Sequence, residues 1–224
     1  MKIVGKAVIL AACVFAANGA YAQFGGFGKL AGGSSDSASA SSDVSADVNA
    51  FVTKSAALST LTASAVTAIN AAFSSEEQLA SKRATLADIA KITDPKEKGA
   101  KLAALYESES AEAKRRLESG DMEKQIGGLD ADKKKQIGSA LLNFAIGALQ
   151  AVDLSKSGQN MMQKASGNPM TITKLMPVKD ALPLLGKVAS DSTGFIAGVM
   201  KLAKGANIAV PAVTVSSKPV DVTV

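Results

Sequence analysis

Histidine and tryptophan are absent from the 224-residue sequence, and cysteine occurs once, as Cys13. Cys13 lies in the first hydrophobic segment, so a mature chain without that segment contains neither histidine nor cysteine. These absences exclude histidine-based catalytic triads, cysteine nucleophiles, disulfides and the usual zinc and haem sites. The length fits one domain, or one domain with a tail, because a domain has ~150 residues on average.

A strong excess of one charge is also missing. The chain has 25 basic and 20 acidic residues, a formal net charge of +5, and removal of Lys2 and Lys6 with the first segment lowers it to +3. This balance is too small to predict nucleic-acid binding. The sequence also lacks the G-x-S-x-G and S-x-x-K nucleophile motifs, the P-loop and the EF-hand loop. It therefore offers no catalytic, cofactor-binding or metal-binding residue and predicts no cofactor.

Residues 1–22 have the three parts of a secretory signal peptide. A short basic region precedes an apolar run at residues 7–17, and residues 20–22 form an A-x-A cleavage site. The apolar run is too short for a transmembrane helix, which needs ~20 residues. The pattern predicts cleavage after Ala22 and export of a bacterial protein to the periplasm or beyond.

A second interpretation of this segment stays open. Residues 10–13 (Leu-Ala-Ala-Cys) match the pattern at which bacterial lipoproteins are cleaved and lipidated, which would make Cys13 a lipid anchor. The apolar run before the cysteine would then be short, and Val14 and Phe15 would follow it where small polar residues are usual. We therefore prefer cleavage after Ala22.

Both ends of the mature chain lack a helical pattern. Glycine, serine and alanine dominate residues 23–42, and such a composition buries too little apolar surface to order itself, so we predict a flexible leader. Residues 207–224 are β-like, interrupted by prolines and without a partner strand. Because an isolated strand is unstable, we predict an extended tail that lies along the helical domain of residues 43–206.

The first predicted helix covers residues 44–73. Its apolar and small residues recur at alternating spacings of four and three, which is typical of one packing seam on a long helix, and Asp43 is the expected N-cap. Small seam residues allow a neighbouring helix to approach closely. The seam consists of Val44, Val48, Phe51, Ser55, Leu58, Thr62, Ala65, Ile69 and Ala72.

Two shorter helices follow. Ser74 and Glu77 form a capping-box signature for a helix that ends near Ile92. Asp94, followed by a proline, begins another helix that stops at Gly120.

A broad apolar face at residues 137–152 predicts the central core helix. Asp130 or Asp132 is its expected cap, and the helix runs to about Ala165.

The spacing of four and three residues returns at residues 178–203, where it predicts a last helix that Gly205 ends. Residues 191–194 are a place at which this helix could kink or split. Together, residues 43–206 predict an all-α fold, an antiparallel bundle of four to five helices.

The charged side chains of the middle region are expected on solvated helix faces. A paired-carboxylate site requires burial that raises the pKa of one carboxyl, which these polar faces do not predict. A contact of the basic clusters with phosphate or anionic lipid is the alternative. The groups concerned are the carboxylates Glu109, Glu112, Asp121 and Glu123 and the basic clusters 114–116 and 133–135.

These features predict a non-enzymatic, exported helical-bundle protein with an interaction or structural role in the cell envelope. Its expected partner is another protein or a second copy of the chain. Binding of nucleic acid is not expected. One alternative is a periplasmic carrier of apolar or amphiphilic, lipid-like ligands, favoured by the apolar face of residues 137–152 and by methionines at 161, 162, 170 and 176. Another is docking on a membrane surface through residues 194–204, a cationic amphipathic pattern that could equally pack into the bundle.

Overall fold

In the computed structural model, the described residues are 40–165, 169–213, 217–222 and 224. They form eight helices and no strand, which confirms the all-α prediction for this part of the chain. The predicted signal peptide, the lipoprotein alternative and most of the predicted leader lie outside the described residues. The helices are α1 (Ala40–Ala72), α2 (Glu76–Lys91), α3 (Pro95–Glu118), α4 (Asp121–Ile126), α5 (Ala131–Ala165), α6 (Pro169–Lys174), α7 (Met176–Thr193) and α8 (Phe195–Gly205).

The helices of the described segments outnumber the predicted four to five for two reasons. α4 and α6 are only six residues long and occupy connections in which the apolar pattern marked no helix. α7 and α8 replace one predicted helix, because the backbone leaves helical geometry at Gly194 (φ −88°, ψ −115°). The break falls in the stretch of residues 191–194 at which a kink or split was predicted.

Two predicted helix caps are confirmed. Asp94 accepts a hydrogen bond from the Glu97 N–H at 2.7 Å at the start of α3, and Asp130 accepts one from the Lys133 N–H at 2.7 Å at the start of α5. In both cases the carboxylate satisfies a first-turn N–H that has no partner within the helix.

Two other predictions of helix starts are wrong. The capping box of α2 lies one residue later than predicted, because Ser75 and Gln78 exchange the two hydrogen bonds, at 3.3 and 3.1 Å. The Ser74 hydroxyl instead donates to the Asn70 carbonyl at 2.8 Å and so satisfies a carbonyl in the last turn of α1. Asp43 lies inside α1, which begins at Ala40.

α1 and α5 run in opposite directions along each other. Gly147 of α5 lies at Thr62 of α1, and Gly158, further along α5, lies at Phe51, nearer the start of α1. A Cβ atom added at Gly147 would lie 2.5 Å from Thr62 Cγ2, so this approach requires glycine. The small residues predicted to admit a neighbouring helix do so at this crossing.

The second half of α1 is enclosed on almost every side, since each residue from 61 to 73 except Ser64 is buried. Its two buried hydroxyl groups are satisfied within the helix, where Thr62 and Thr67 donate to carbonyls four residues earlier at 2.9 and 2.8 Å. α5, predicted as the central helix, exposes 47 % of Leu149 and 39 % of Val152. The predicted extent of its apolar face is therefore wrong, and α1 shares the central position.

The other long helices pack around this pair. α7 and α8 lie against α5, where Leu182 contacts Gly158 and the ring of Phe195 lies edge-on to Phe144 at a centroid distance of 6.3 Å. α3 packs directly on α1, and α2 contacts both of them.

Among the described helices, α5 alone is long and apolar enough to cross a membrane. Of its most apolar stretch, 67 % is buried inside the protein, and the core helix of a soluble protein meets the same criterion. Length and composition therefore do not by themselves assign α5 to a membrane.

α8 ends in a Schellman motif, and the described residues after it form neither helix nor strand. The Ile208 N–H donates to the Ala203 carbonyl at 2.8 Å, and the Asn207 N–H donates to the Lys204 carbonyl at 3.1 Å. Asn207 adopts the left-handed conformation (φ 56°) that this motif requires and that asparagine tolerates. The turn directs the following chain onto α5.

Candidate functional site

A buried cluster of charges joins α2 to α3. Lys82 Nζ lies 2.6 Å from Glu109 Oε1 and 3.0 Å from Glu112 Oε2. Asn70 of α1 adds a hydrogen bond from its Nδ2 to Glu109 Oε2 at 2.7 Å. Three helices therefore meet at one pair of carboxylates.

Arg116 closes the cluster on its other side. Its Nε donates to Glu112 Oε1 at 2.9 Å, and its Nη1 donates to the Phe73 carbonyl just beyond the end of α1 at 2.8 Å. The guanidinium thus pairs with a carboxylate and satisfies a backbone carbonyl that the helix leaves open.

The prediction of a solvated surface is wrong for three of these side chains. Glu109 is 6 % exposed, Arg116 is 8 % exposed, and Glu112 is half-buried. The cause is α2, which folds back over α3 and brings Lys82 onto groups that are about thirty residues away in sequence. Lys114 and Arg115 of the same basic cluster are exposed, as predicted.

The charges in this cluster favour the ionised form of Glu112. Burial by itself would raise the pKa of its carboxyl, but hydrogen bonds from Lys82 and Arg116, with their positive charges, lower it below the usual 4.5. A general acid requires the opposite shift. The cluster therefore has the electrostatics of an internal tie between helices.

A cleft lies beside the cluster, between α2 and α3. One part, of about 300 Å³, has Lys82, Glu109 and Glu112 in its wall, and an adjoining part, of about 540 Å³, has Ile89 and Leu105. Both volumes are within the range of small-ligand sites.

A second buried polar contact joins α3 to α7. The Tyr106 hydroxyl donates to Asp191 Oδ2 at 2.8 Å, and Lys187 Nζ lies 3.1 Å from the same oxygen. The Tyr106 ring stacks on Phe144 at a centroid distance of 6.4 Å. Burial first, and then the hydrogen bond and negative charge of Asp191, raise the pKa of Tyr106 above its usual 10.0. The phenol stays protonated and serves as a fixed donor.

A groove on α5 holds the chain that follows α8; we call it the tail groove, and define it by Leu61 of α1 and Gly138, Leu142, Asn143 and Ile146 of α5. Asn143 is 4 % exposed. Its Nδ2 donates to the Val220 carbonyl at 2.7 Å, and its Oδ1 accepts from the Val220 N–H at 2.9 Å. One side-chain amide thus satisfies both backbone groups of one residue, as a neighbouring strand would.

The rest of the tail groove binds by shape and apolar contact. Val213 packs on the cluster formed by Leu61, Leu142 and Ile146. At Gly138 the Ala209 carbonyl lies so close to α5 that any Cβ atom would collide with it.

The sequence contains one signal for the tail groove. Asn143 interrupts the apolar run of residues 137–152, and a buried asparagine requires hydrogen-bond partners. The tail was predicted to lie along the helical domain, but its partner residues on α5 were not.

The remaining candidates from the sequence lie apart from these sites. Lys133 and Lys134 are half-buried, Lys135 and Glu123 are exposed, and Asp121 lies 3.9 Å from Lys124. The described residues contain no group of three or more acidic side chains that could hold a metal ion. The apolar side chains of residues 194–204, the segment of the membrane-docking alternative, pack inside the protein: Phe195, Ile196, Val199 and Ala203 are buried. Of the four methionines, Met161 and Met162 pack against the core, Met176 is 44 % exposed, and the side chain of Met170 is outside the described part.

Comparisons with protein-family models, with curated proteins and with solved structures find no match to this chain. The geometry of the molecule is therefore the basis for the function proposed below.

Proposed function

We propose that this chain is an exported bacterial protein that works without catalysis, by binding another protein or a second copy in an interaction or structural role in the cell envelope. The signal-peptide pattern of residues 1–22 supports export, with cleavage after Ala22 and periplasmic or secreted location. Lipidation at Cys13 is the alternative.

The observation that carries the proposal is the tail groove. Asn143 binds the backbone of Val220 through a donor and an acceptor, and Leu61, Leu142 and Ile146 receive the side chain of Val213. Main-chain hydrogen bonds combined with pockets for alternate side chains are the means by which proteins recognise extended peptides. By contrast, the buried ionisable groups pair with one another between helices, as Lys82 does with Glu109.

We propose further that the helices form an antiparallel bundle around α1 and α5. The order of contacts supports it, because Gly147 meets Thr62 and Gly158 meets Phe51 in reverse sequence order. α3 does not follow a simple up-and-down order. α2 reverses the direction of the chain after α1, and α3 then packs on α1.

The carrier function remains the second candidate, and the cleft between α2 and α3 favours it. The cleft has Ile89 and Leu105 on its apolar part and Lys82 at its polar end, a combination that suits an amphiphilic molecule. Membrane docking has less support, because the apolar side of α8 is packed and only its polar side, with Lys201 and Lys204, is exposed.

The native mass of the exported protein separates these functions. We would express the full gene in a bacterium, purify the exported form gently and record its mass before and after denaturation. We expect a complex with another protein or a multiple of the chain, without a small adduct, and a chain mass that fits cleavage after Ala22. A monomer that releases a molecule of a few hundred daltons on denaturation would replace the proposal by the carrier function.

A further inference from the structure

We infer that the tail groove also accepts the tail of a second copy of this chain, so that two copies join by exchange of residues 211–224. The inference rests on the proposed interaction role and names the partner. It depends on three observations: the fit between groove and tail, the exposed joint at the start of the exchanged segment, and the independence of the helices from that segment.

The groove fits an extended segment with apolar side chains at set positions. Asn143 contacts only the backbone of Val220 in its two hydrogen bonds, so the clamp requires an extended chain and not one particular side chain. The specificity comes from Val213, which covers Leu61 and its neighbours on α5. Every copy of the chain carries the same segment, so the second copy's tail meets the same contacts.

The joint at residues 211 and 212 lies on the surface. Pro211 and Ala212 are exposed, between the partly buried Val210 and Val213. Proline has no N–H to donate and disfavours the helical conformation for the residue before it, so no hydrogen bond from the Pro211 nitrogen has to break when the chain leaves this point. The contacts of Ile208 and Ala209 with their own copy can then stay in place during exchange.

The exchanged segment leaves the helices intact. Its described contacts are with α5, with Leu61 of α1 through Val213, and with Arg83 of α2 through the Val224 carbonyl. Val222 and Val224 also pack on the edge of the core, while each helix keeps its own backbone hydrogen bonds. Intramolecular binding of a short linked segment corresponds to an effective concentration on the order of millimolar. In the unaltered chain, the tail of a second copy therefore competes with the chain's own tail for the groove. Variants that remove this competition make the exchange detectable.

The test mixes two full-length variants. The groove variant carries Asn143→Ala and Ile146→Asp, which leave its tail intact but without a place on its own α5. The tail variant carries Val213→Asp and Val220→Pro, which leave its groove intact and empty. Both altered surfaces carry an acidic residue, so they cannot pair with each other.

We expect each variant alone to be monomeric, and a micromolar mixture to contain a one-to-one heterodimer in native mass spectrometry. A synthetic peptide of residues 211–224 should bind the tail variant and displace the groove variant from it. Circular dichroism checks that both variants keep the helical content of the unaltered chain, and the single substitutions Asn143→Ala and Val220→Pro replace any double variant that does not.

If the peptide binds the tail variant but no heterodimer forms, exchange between copies is overturned and the groove stands as a site for other extended segments. If neither binds, the inference is overturned together with the groove as a binding site. The proposed interaction role fails separately, by the small adduct in the native mass of the exported protein.

Discussion

Replacement of Lys82 by methionine is expected to reduce the free energy of unfolding by about 3–5 kcal/mol at neutral pH. The ammonium group lies between Glu109 and Glu112, and the side chain of Lys82 is only 11 % exposed. Methionine fills similar space but leaves two carboxylates without their shared cation, one of them almost fully buried. A domain is typically stable by only about 5–15 kcal/mol, so denaturant unfolding will resolve the change clearly.

Acidification should reduce the difference in unfolding free energy between the Lys82→Met variant and the unaltered chain. Because Lys82 and Arg116 lower the pKa of Glu112, the pairing stabilises the protein above the usual pKa of 4.5 and loses that effect as pH falls through the lowered pKa. The Lys82→Met variant lacks part of the effect at neutral pH, so it has less to lose on acidification. Urea titrations of both proteins at several pH values from neutral downwards measure this pH dependence of the unfolding free energy.

The matched control is Lys91→Met, the same substitution in the same helix. Lys91 lies 2.9 Å from Asp88, but the two side chains are 75 % and 73 % exposed, so the pair is worth well under about 1 kcal/mol. Equal losses in the two variants would show that the charge cluster does not hold α2 in place.

The second large effect is expected at the crossing of α1 and α5. Gly147→Ala should destabilise the protein by about 1–3 kcal/mol, although alanine favours a helix over glycine by about 1 kcal/mol. The new Cβ would lie 2.5 Å from Thr62 Cγ2, and Thr62 is fully buried with its hydroxyl bonded to the Leu58 carbonyl at 2.9 Å. The methyl group of Thr62 therefore has no free space in which to move.

Two companion variants isolate this contact. Gly186→Ala on the exposed side of α7 meets nothing within 4 Å and should stabilise the protein by about 0.5–1 kcal/mol. Thr62→Ser removes the methyl group that collides, so combining it with Gly147→Ala should recover much of the loss. Thermal unfolding of the unaltered chain, Gly147→Ala, Thr62→Ser and the double variant completes the cycle. Additive effects of Gly147→Ala and Thr62→Ser would mean that the helices do not approach at Gly147.

The sequence predicted the long helices, and two of their caps, from the chemistry of neighbouring residues. The spacing of residues 44–73 and the caps Asp94 and Asp130 depend on neighbours along the chain, and they appear in the structure. The choice between Ser74 and Ser75 as a cap failed, because both serines suit the position and only the end of α1 decides which hydroxyl is free.

The candidate sites could not be predicted in the same way, because they depend on contacts between distant residues. Glu109 looks like a surface glutamate until α2 brings Lys82 to it. Asn143 stands in an apolar run for a reason that appears only when Val220, far along the chain, lies on α5. Helical periodicity describes one helix at a time, so it predicts neither the contact of Lys82 with Glu109 nor that of Asn143 with Val220.

Amide hydrogen exchange at Val220 tests most directly whether α5 binds an extended backbone through Asn143. The Val220 N–H donates to Asn143 Oδ1 at 2.9 Å, and one net hydrogen bond slows exchange by roughly fivefold to tenfold. We expect this protection in the unaltered chain and its loss in Asn143→Ala, while the amides of α3 exchange alike in both. Equally fast exchange of Val220 in the two proteins would contradict the binding of the tail in the groove.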